Sequence, residues 1–149
     1  MLTARTPTVG DVLLIYIDTS AAMKLVRLET HSEELSLWIR GQLSSEFVSS
    51  VIIEVELPRA TKRSAPMNLG RTGEVLDGIG IVTLSPAIVT RAAGFDERDL
   101  RSLDAIHLAT AEHVANAAKS EFLGFLGYDS RLLEAARSIG LPVLAPGLL

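Results

Sequence analysis

Four acidic residues of this sequence stand at positions where a carboxylate could do chemistry. Asp18 directly follows the apolar run Leu13–Ile17, and Asp129 comes three residues after the end of the apolar run Phe122–Leu126. Continuous apolar runs are typical of strands that are buried on both faces of a parallel sheet. Because ligands of α/β folds bind beyond the carboxyl ends of such strands, we expect both carboxylates at one edge of the sheet.

The other two acids lie in segments that are otherwise apolar. Asp104 falls in the first turn of a long predicted helix, 102–118, where the helix dipole favours a carboxylate. Glu56 is flanked by Val55 and Leu57 in another predicted helix. Each of the four acids, taken alone, could be a helix cap or a solvated side chain. Four acids in such positions indicate a shared site.

Carboxylates without cysteine, and without histidine pairs at ligand spacing, are the donor set that suits Mg²⁺ or Mn²⁺. Such a site polarises a phosphate, activates water and stabilises the leaving oxygen. Other chemistries lack a motif: the sequence contains no P-loop, no G-x-G-x-x-G segment and no G-x-S-x-G elbow. His107, one helical turn after Asp104, is predicted to make structural hydrogen bonds rather than to bind a metal.

The elements that must position these acids alternate between strands and helices. Thr19 or Ser20 is predicted to cap the helix after Asp18, and Ser130 is predicted to cap the helix after Asp129. Pro58 is expected to bend or break its helix, and 64–73 is predicted to be a loop. The pattern predicts one α/β domain, residues 13–149, with a mainly parallel central sheet of about five strands covered by helices. Residues 1–12 are expected to form a flexible tail.

Composition narrows the functional classes. The chain has 149 residues, a size typical of one domain. Its net charge of −4 argues against a protein that coats nucleic acid nonspecifically, but not against a nuclease. The absence of cysteine fits a reducing compartment. No apolar run is long enough to span a membrane and no secretion signal is evident, so a cytoplasmic location is expected.

Four segments carry a resemblance to the PIN-domain ribonucleases, and more narrowly to the VapC toxins of VapBC toxin–antitoxin pairs. They are Ile15–Ala21 (IYIDTSA), Val55–Ala60 (VELPRA), Leu100–Ala111 (LRSLDAIHLATA), and Tyr128–Asp129 together with Gly140–Val143. The match runs from about Leu14 to Gly147 in the family's order and spacing. It implies a PIN-like three-layer sandwich and a Mg²⁺- or Mn²⁺-dependent endoribonuclease that forms a homodimer. It also implies inhibition by a VapB-type antitoxin, in a heterotetramer or larger assembly, whose C-terminal segment wraps the active-site groove.

The resemblance also implies roles for individual residues. Asp18, Asp104 and Asp129 would hold the metal, and Glu56 would complete its shell or orient the attacking water. Ser20 would support the site through its hydroxyl. Arg59 and Arg101, with Lys62 and Arg63, could steer the RNA phosphates.

Two further features bear on the site. Glu54 and Glu56 are about 200° apart on a helix, so only one of them can face the crevice, and the resemblance selects Glu56. Gly127 stands where many relatives carry a serine or threonine, so a supporting hydroxyl is missing there.

Two alternatives come from other functional classes. A phosphoacceptor regulatory domain also places acids at strand ends, but it normally has adjacent acids after the first strand and a lysine near the last. Asp18 stands alone, and the late strands offer no such lysine. A non-catalytic binding module with the PIN fold is the second alternative, and the intact acids weigh against it.

Overall fold

Strand β1, Leu13–Ile17, lies at the centre of a parallel sheet in the computed structural model, which describes residues 12–96 and 98–149. Within these residues the chain forms four more strands, β2 (Ser45–Ser50), β3 (Ile79–Val82), β4 (Phe122–Leu126) and β5 (Val143–Leu144). The strand order is β3-β2-β1-β4-β5, and every neighbouring pair is parallel. The predicted five-stranded parallel sheet is confirmed. Residues 1–11 of the predicted tail lie outside the described part.

The helices cover both faces of this sheet. Over the described residues they are α1 (Thr19–Val26), α2 (Ser32–Arg40), α3 (Ile53–Ser64), α4 (Leu69–Asp77), α5 (Pro86–Ala93), α6 (Ser102–Ala118) and α7 (Ser130–Ser138). Short 3₁₀ turns at Pro66–Asn68 and Lys119–Glu121 precede α4 and β4. The part of the chain that can be described holds no helix with the length and apolarity to cross a bilayer.

Alternation along β1 divides the core into two layers, one on each face of the sheet. Ile15 and Ile17 point into a cluster with buried side chains of α1, α2, α3 and α4. Tyr16 points the other way, into a cluster with side chains of α6 and α7 such as Leu108 and Leu132. This alternation is the period-2 geometry of a strand. It gives the three layers expected from the sequence.

Two local features differ from expectation. Helix α3 is not broken at Pro58 and continues to Ser64, because a single proline deletes just one backbone hydrogen bond, here the bond to the Glu54 carbonyl. The predicted loop 64–73 instead contains a 3₁₀ turn and the start of α4, which runs through Gly70 and Gly73. Packing outweighs the low helix propensity of glycine there, since Thr72 of α4 is buried and its hydroxyl lies 2.8 Å from that of Thr61.

Candidate active site

The first acid lies in the predicted place, but it also caps a helix. Asp18 follows β1, is only 2% exposed, and accepts hydrogen bonds on Oδ1 from the Ser20 hydroxyl (2.7 Å) and the Ala21 backbone N–H (3.0 Å). Asp18 itself is therefore the N-cap of α1, in place of the predicted Thr19 or Ser20. The Ser20 hydroxyl, for which a supporting role is predicted, thus contacts this carboxylate directly.

Asp129 likewise caps a helix, the one that follows β4. Its Oδ1 accepts hydrogen bonds from the backbone N–H groups of Arg131 (3.0 Å) and Leu132 (3.1 Å). Asp129, and not the predicted Ser130, is the N-cap of α7. A carboxylate suits this position because it satisfies free N–H groups and faces the positive end of the helix dipole. Unlike Asp18, Asp129 is exposed.

Asp104 lies in the first turn of α6 and is half-buried. Burial raises the pKa of its carboxyl group, and the charge of Asp129 raises it further, while a hydrogen bond with the Arg101 backbone lowers it. Asp104 thus lies at the start of a helix, as Asp18 and Asp129 do.

Glu56 is held differently, by side chains alone. Its Oε1 accepts a hydrogen bond from the Thr19 hydroxyl (2.7 Å) and lies 2.6 Å from Nε2 of His107. Burial acts to raise the pKa of Glu56, but its interactions with His107 and Thr19 outweigh burial and hold the pKa below its usual value. Glu56 is therefore ionised at neutral pH. The predicted hydrogen-bonding role of His107 is confirmed.

Glu54 and Glu56 differ in exposure, as expected for side chains on opposite sides of a helix. Glu54 is exposed, whereas the Glu56 side chain is 22% exposed and faces His107 and Thr19. The structure thus places Glu56, not Glu54, beside the other acids.

The carboxylates are close enough to influence one another. Burial raises the pKa of Asp18 to about 6, and the charge of Asp129 contributes to the increase. Asp129 acts in the same sense on Asp104. Two acids whose pKa values are raised by a shared neighbour form one electrostatic cluster, which a bound cation would relieve.

The donor set fits a hard divalent cation, but the geometry is open. In residues 12–96 and 98–149, no three acidic or histidine side chains converge closely enough to enclose a metal ion. The predicted ligands Asp18, Asp104 and Asp129 therefore do not form a closed cage. Mg²⁺ does not require one, because it often keeps several waters and binds one or two carboxylates together with substrate phosphates.

Gly127 makes room for the buried carboxylate. A Cβ atom at this position would lie 2.7 Å from Oδ2 of Asp18 and 2.9 Å from its Cγ. Ser20 bridges the same region, since its hydroxyl donates to Asp18 and accepts from the Tyr128 backbone N–H (2.9 Å). The Ser20 hydroxyl thus contacts Asp18 and the backbone next to Gly127, the position that lacks the hydroxyl of many relatives.

An open groove of about 380 Å³ lies beside the acids. Its lining includes Ser20, Lys24, Tyr128 and Asp129, and Met23 with Ala60 supplies apolar surface. The Lys24 ammonium lies 4.8 Å from the centre of the Tyr128 ring. Arg59 and Arg101 are both exposed, and Arg59 lies one helical turn beyond Glu56 on α3. The site thus combines an acidic edge with cationic side chains nearby.

Sequence reasoning missed three members of this site. The Tyr16 hydroxyl bonds to His107, and the Thr19 hydroxyl bonds to Glu56. The backbone N–H of Ser50 bonds to the Tyr16 hydroxyl. The tyrosine hydroxyl inside an otherwise apolar strand was the one available signal, because a buried tyrosine hydroxyl usually has a partner.

Comparisons with known proteins agree with this geometry. A family model described as PIN domain matches residues 15–138. Among curated proteins, Ribonuclease VapC35 of Mycobacterium tuberculosis is 39% identical over 134 residues, covering 90% of this chain and 98% of the relative. Ribonuclease VapC47 of the same organism is 36% identical over 137 residues, with 90% and 98% covered.

Solved structures show the same fold at lower identity. A toxin–antitoxin complex from Klebsiella pneumoniae has a TM-score of 0.61 at 21% identity, covering 87% of this chain and 95% of the other. Mycobacterium tuberculosis VapC20, described as a sarcin-ricin loop cleaving toxin, has a TM-score of 0.65 at 12% identity, covering 86% and 96%.

Proposed function

The chain belongs to the PIN domain family and, within it, to the VapC ribonucleases, and on that basis we propose that it is an endoribonuclease toxin neutralised by a cognate antitoxin. The observation that carries the proposal is the acidic cluster at the carboxyl edge of the sheet, where Asp18 and Asp129 follow the adjacent strands β1 and β4, and where burial and the charge of Asp129 raise the pKa of Asp18 and Asp104. Such a cluster costs stability, so its presence at a ligand-binding edge of the sheet favours a functional role.

The proposed cofactor is Mg²⁺ or Mn²⁺, held by Asp18, Asp104 and Asp129 together with water and RNA phosphate oxygens. When bound, such an ion polarises the scissile phosphate and supplies an activated water. Ser20 keeps Asp18 in place through its 2.7 Å hydrogen bond. The Asp18 bonds described above end on Oδ1, so Oδ2 is the oxygen proposed to face the metal.

Glu56 is proposed to orient the attacking water and to accept its proton. The carboxylate is ionised because its pKa is lowered despite burial. The bonds from Thr19 and His107 both end on Oε1, so Oε2 is the oxygen proposed to meet the water. Arg59 and Arg101 are proposed to hold the RNA phosphates by charge attraction.

The proposed partners are RNA, a VapB-type antitoxin that occupies the groove beside Asp129, and a second copy of the chain in a homodimer. Assembly with antitoxin would then give a heterotetramer or a larger complex. A toxin–antitoxin complex among the structural neighbours supports the antitoxin. The lack of cysteine supports the proposed cytoplasmic location.

The structure disfavours the phosphoacceptor alternative. A phosphoacceptor aspartate must be open to attack on the phosphoryl donor, whereas Asp18 is 2% exposed and its Oδ1 is engaged by Ser20 and Ala21. A buried, capped carboxylate is poorly placed as a nucleophile.

The test is cleavage of single-stranded RNA by the purified chain with Mg²⁺, with Mn²⁺ and with excess EDTA. We expect cleavage with either metal, none with EDTA, and none for Asp104→Asn with metal. Cleavage that persists in EDTA would refute the metal requirement. A folded wild-type chain that cuts no RNA under any condition would support the binding-module alternative.

A further inference from the structure

We infer that Tyr16 and His107 form a buried hydrogen-bonded relay that fixes the orientation of Glu56, which makes Tyr16 a positioning residue for RNA cleavage. The inference rests on the proposed function. The relay begins at the Ser50 backbone, at the end of β2, and reaches Glu56 on α3 through side chains of β1 and α6.

The relay consists of short contacts between buried groups. The Ser50 N–H donates to the Tyr16 hydroxyl at 3.1 Å, and that hydroxyl lies 2.6 Å from Nδ1 of His107. Nε2 of His107 lies 2.6 Å from Oε1 of Glu56. Exposure is 0% for Tyr16 and 2% for His107, so water does not compete for the bond between them, whereas the Glu56 side chain is 22% exposed. The relay therefore connects the interior of the sheet to the acid at its edge.

The donors and acceptors order the hydrogens in one direction. Because the Ser50 N–H can only donate, the Tyr16 oxygen accepts, and its own hydrogen is available to Nδ1 of His107. With Nδ1 accepting from this hydroxyl, the ring hydrogen lies on Nε2.

That tautomer is the one that Glu56 needs. An ionised carboxylate can only accept, and Nε2–H of His107 donates to it. The Thr19 hydroxyl donates to the same oxygen at 2.7 Å. The opposite tautomer would direct a bare nitrogen at the carboxylate, and the two would repel. The Tyr16 hydroxyl thus selects the form of His107 that holds Glu56.

Removing this hydroxyl leaves the packing of Tyr16 unchanged. Its ring stacks on Phe125, with centroids 5.3 Å apart and planes at 18°, and meets the edge of His107 at 5.8 Å. A phenylalanine keeps both contacts and loses the bonds to Ser50 and His107, together with the interaction of the hydroxyl with the Ser49 side chain. Tyr16→Phe therefore tests the hydrogen bonds of the relay without changing the packing of the core.

The first measurement is the ¹⁵N NMR spectrum of the histidine rings at pH 7.5 in the metal-free, full-length chain. His107 is distinguished from His31 and His113 by single substitutions of those two. We expect a ring protonated on Nε2 alone in the wild type, and an averaged or reversed tautomer in Tyr16→Phe. A wild-type ring protonated on Nδ1, or on both nitrogens, would overturn the inference whether or not Tyr16→Phe folds.

The second measurement is steady-state RNA cleavage at saturating Mg²⁺. We expect kcat of Tyr16→Phe to fall about tenfold, the effect of one lost hydrogen bond on the barrier, with KM within about twofold of wild type. Thr61→Val is the matched control, because it also removes a fully buried hydroxyl, on the same helix as Glu56 but bonded to Leu57 and Thr72.

The control separates a positioning role from general destabilisation. Thr61→Val is expected to lower the melting temperature as Tyr16→Phe does, while its kcat stays at the wild-type value. Equal kcat for Tyr16→Phe and wild type, or equal losses in both variants, would overturn the inference. An inactive wild type would instead refute the proposed function, and the NMR result would still test the relay.

Discussion

Gly127→Ala is the substitution whose effect follows most directly from the geometry. The new Cβ would lie 2.7 Å from Oδ2, 2.9 Å from Cγ and 3.0 Å from Oδ1 of Asp18, so one of the two residues must move. Asp18 is held by Ser20 and Ala21. Residue 127 is held in turn by its backbone bond to the Leu144 carbonyl at 3.1 Å. Neither side of the contact can give way without losing a hydrogen bond.

The expected cost follows from these two responses. Forcing a methyl group into a packed region costs about 1–3 kcal/mol of unfolding free energy. Turning Asp18 away instead costs its bonds to Ser20 and Ala21, about 1 kcal/mol each. We therefore expect a loss of about 2 kcal/mol by either route. A shift of the Asp18 carboxylate by ~1 Å would lower kcat up to about a hundredfold.

Gly124→Ala is the matched control, because it adds the same methyl group on β4 against neighbours other than the carboxylate. Its Cβ would lie 2.9 Å from Cδ1 and Cγ of Leu144 and 3.1 Å from the Pro142 carbonyl oxygen. Urea denaturation should show that both variants are destabilised. RNA cleavage, measured where both are folded, should fall strongly for Gly127→Ala and stay near wild type for Gly124→Ala.

A double-mutant cycle with Asp18→Ala tests the cause. If the carboxylate is what the methyl group meets, Gly127→Ala should cost at least about 1 kcal/mol less in the Asp18→Ala background than in the wild type. An equal cost in both backgrounds would refute the reasoning, as would full cleavage by Gly127→Ala.

Three other predictions concern the acids themselves. Asp18→Asn should be more stable than wild type above pH 6 in metal-free buffer. The pKa of Asp18 in the folded state, about 6, exceeds its ordinary value of 3.8, so ionisation of this carboxyl group destabilises the folded state. As the pH rises from 4 to 6, the unfolding free energy of the wild type should fall by up to about 3 kcal/mol relative to that of the variant. A stability difference that does not change with pH would contradict this. Asp104→Asn should abolish RNA cleavage and leave the melting temperature equal or slightly higher, because the repulsion from Asp129 is removed; an unfolded variant would show a structural role instead. Glu56→Gln should lose cleavage while Glu54→Gln, at an exposed position, should keep it, and the reverse result would exchange their assignments.

The arrangement of the sheet could be predicted because its signals are local. Each of the runs Leu13–Ile17 and Phe122–Leu126 ends near an acid and is followed by a helix, and both strands form with these bounds. The identity of the caps could not be predicted, because Asp18 and Ser20 are both good N-cap residues. In the structure the Ser20 hydroxyl instead bonds to Asp18 and to the Tyr128 backbone, 108 residues away.

The hydrogen-bond partners of Glu56 could not be predicted from local sequence patterns either. Thr19 and His107 are separated from it by 37 and 51 residues, and the bond of Tyr16 to His107 spans 91. Hydrophobic periodicity assigns faces of helices and strands, but it does not show which polar atoms meet across a core. The role of Gly127 was hidden for the same reason, since the atom that excludes a side chain there belongs to Asp18.

The way in which the acids are held has a consequence for how related sequences diverge. Asp18 and Asp129 each accept backbone hydrogen bonds at the start of a helix, so the fold favours an aspartate or asparagine at 18 and 129 even without catalysis. Glu56 supports no helix end and is held by side chains alone. A lineage that lost RNA cleavage but kept the fold would therefore be free to replace Glu56 first. In a newly sequenced relative, the residue aligned with Glu56 should distinguish an active enzyme from a degenerate copy better than the residues aligned with Asp18 and Asp129.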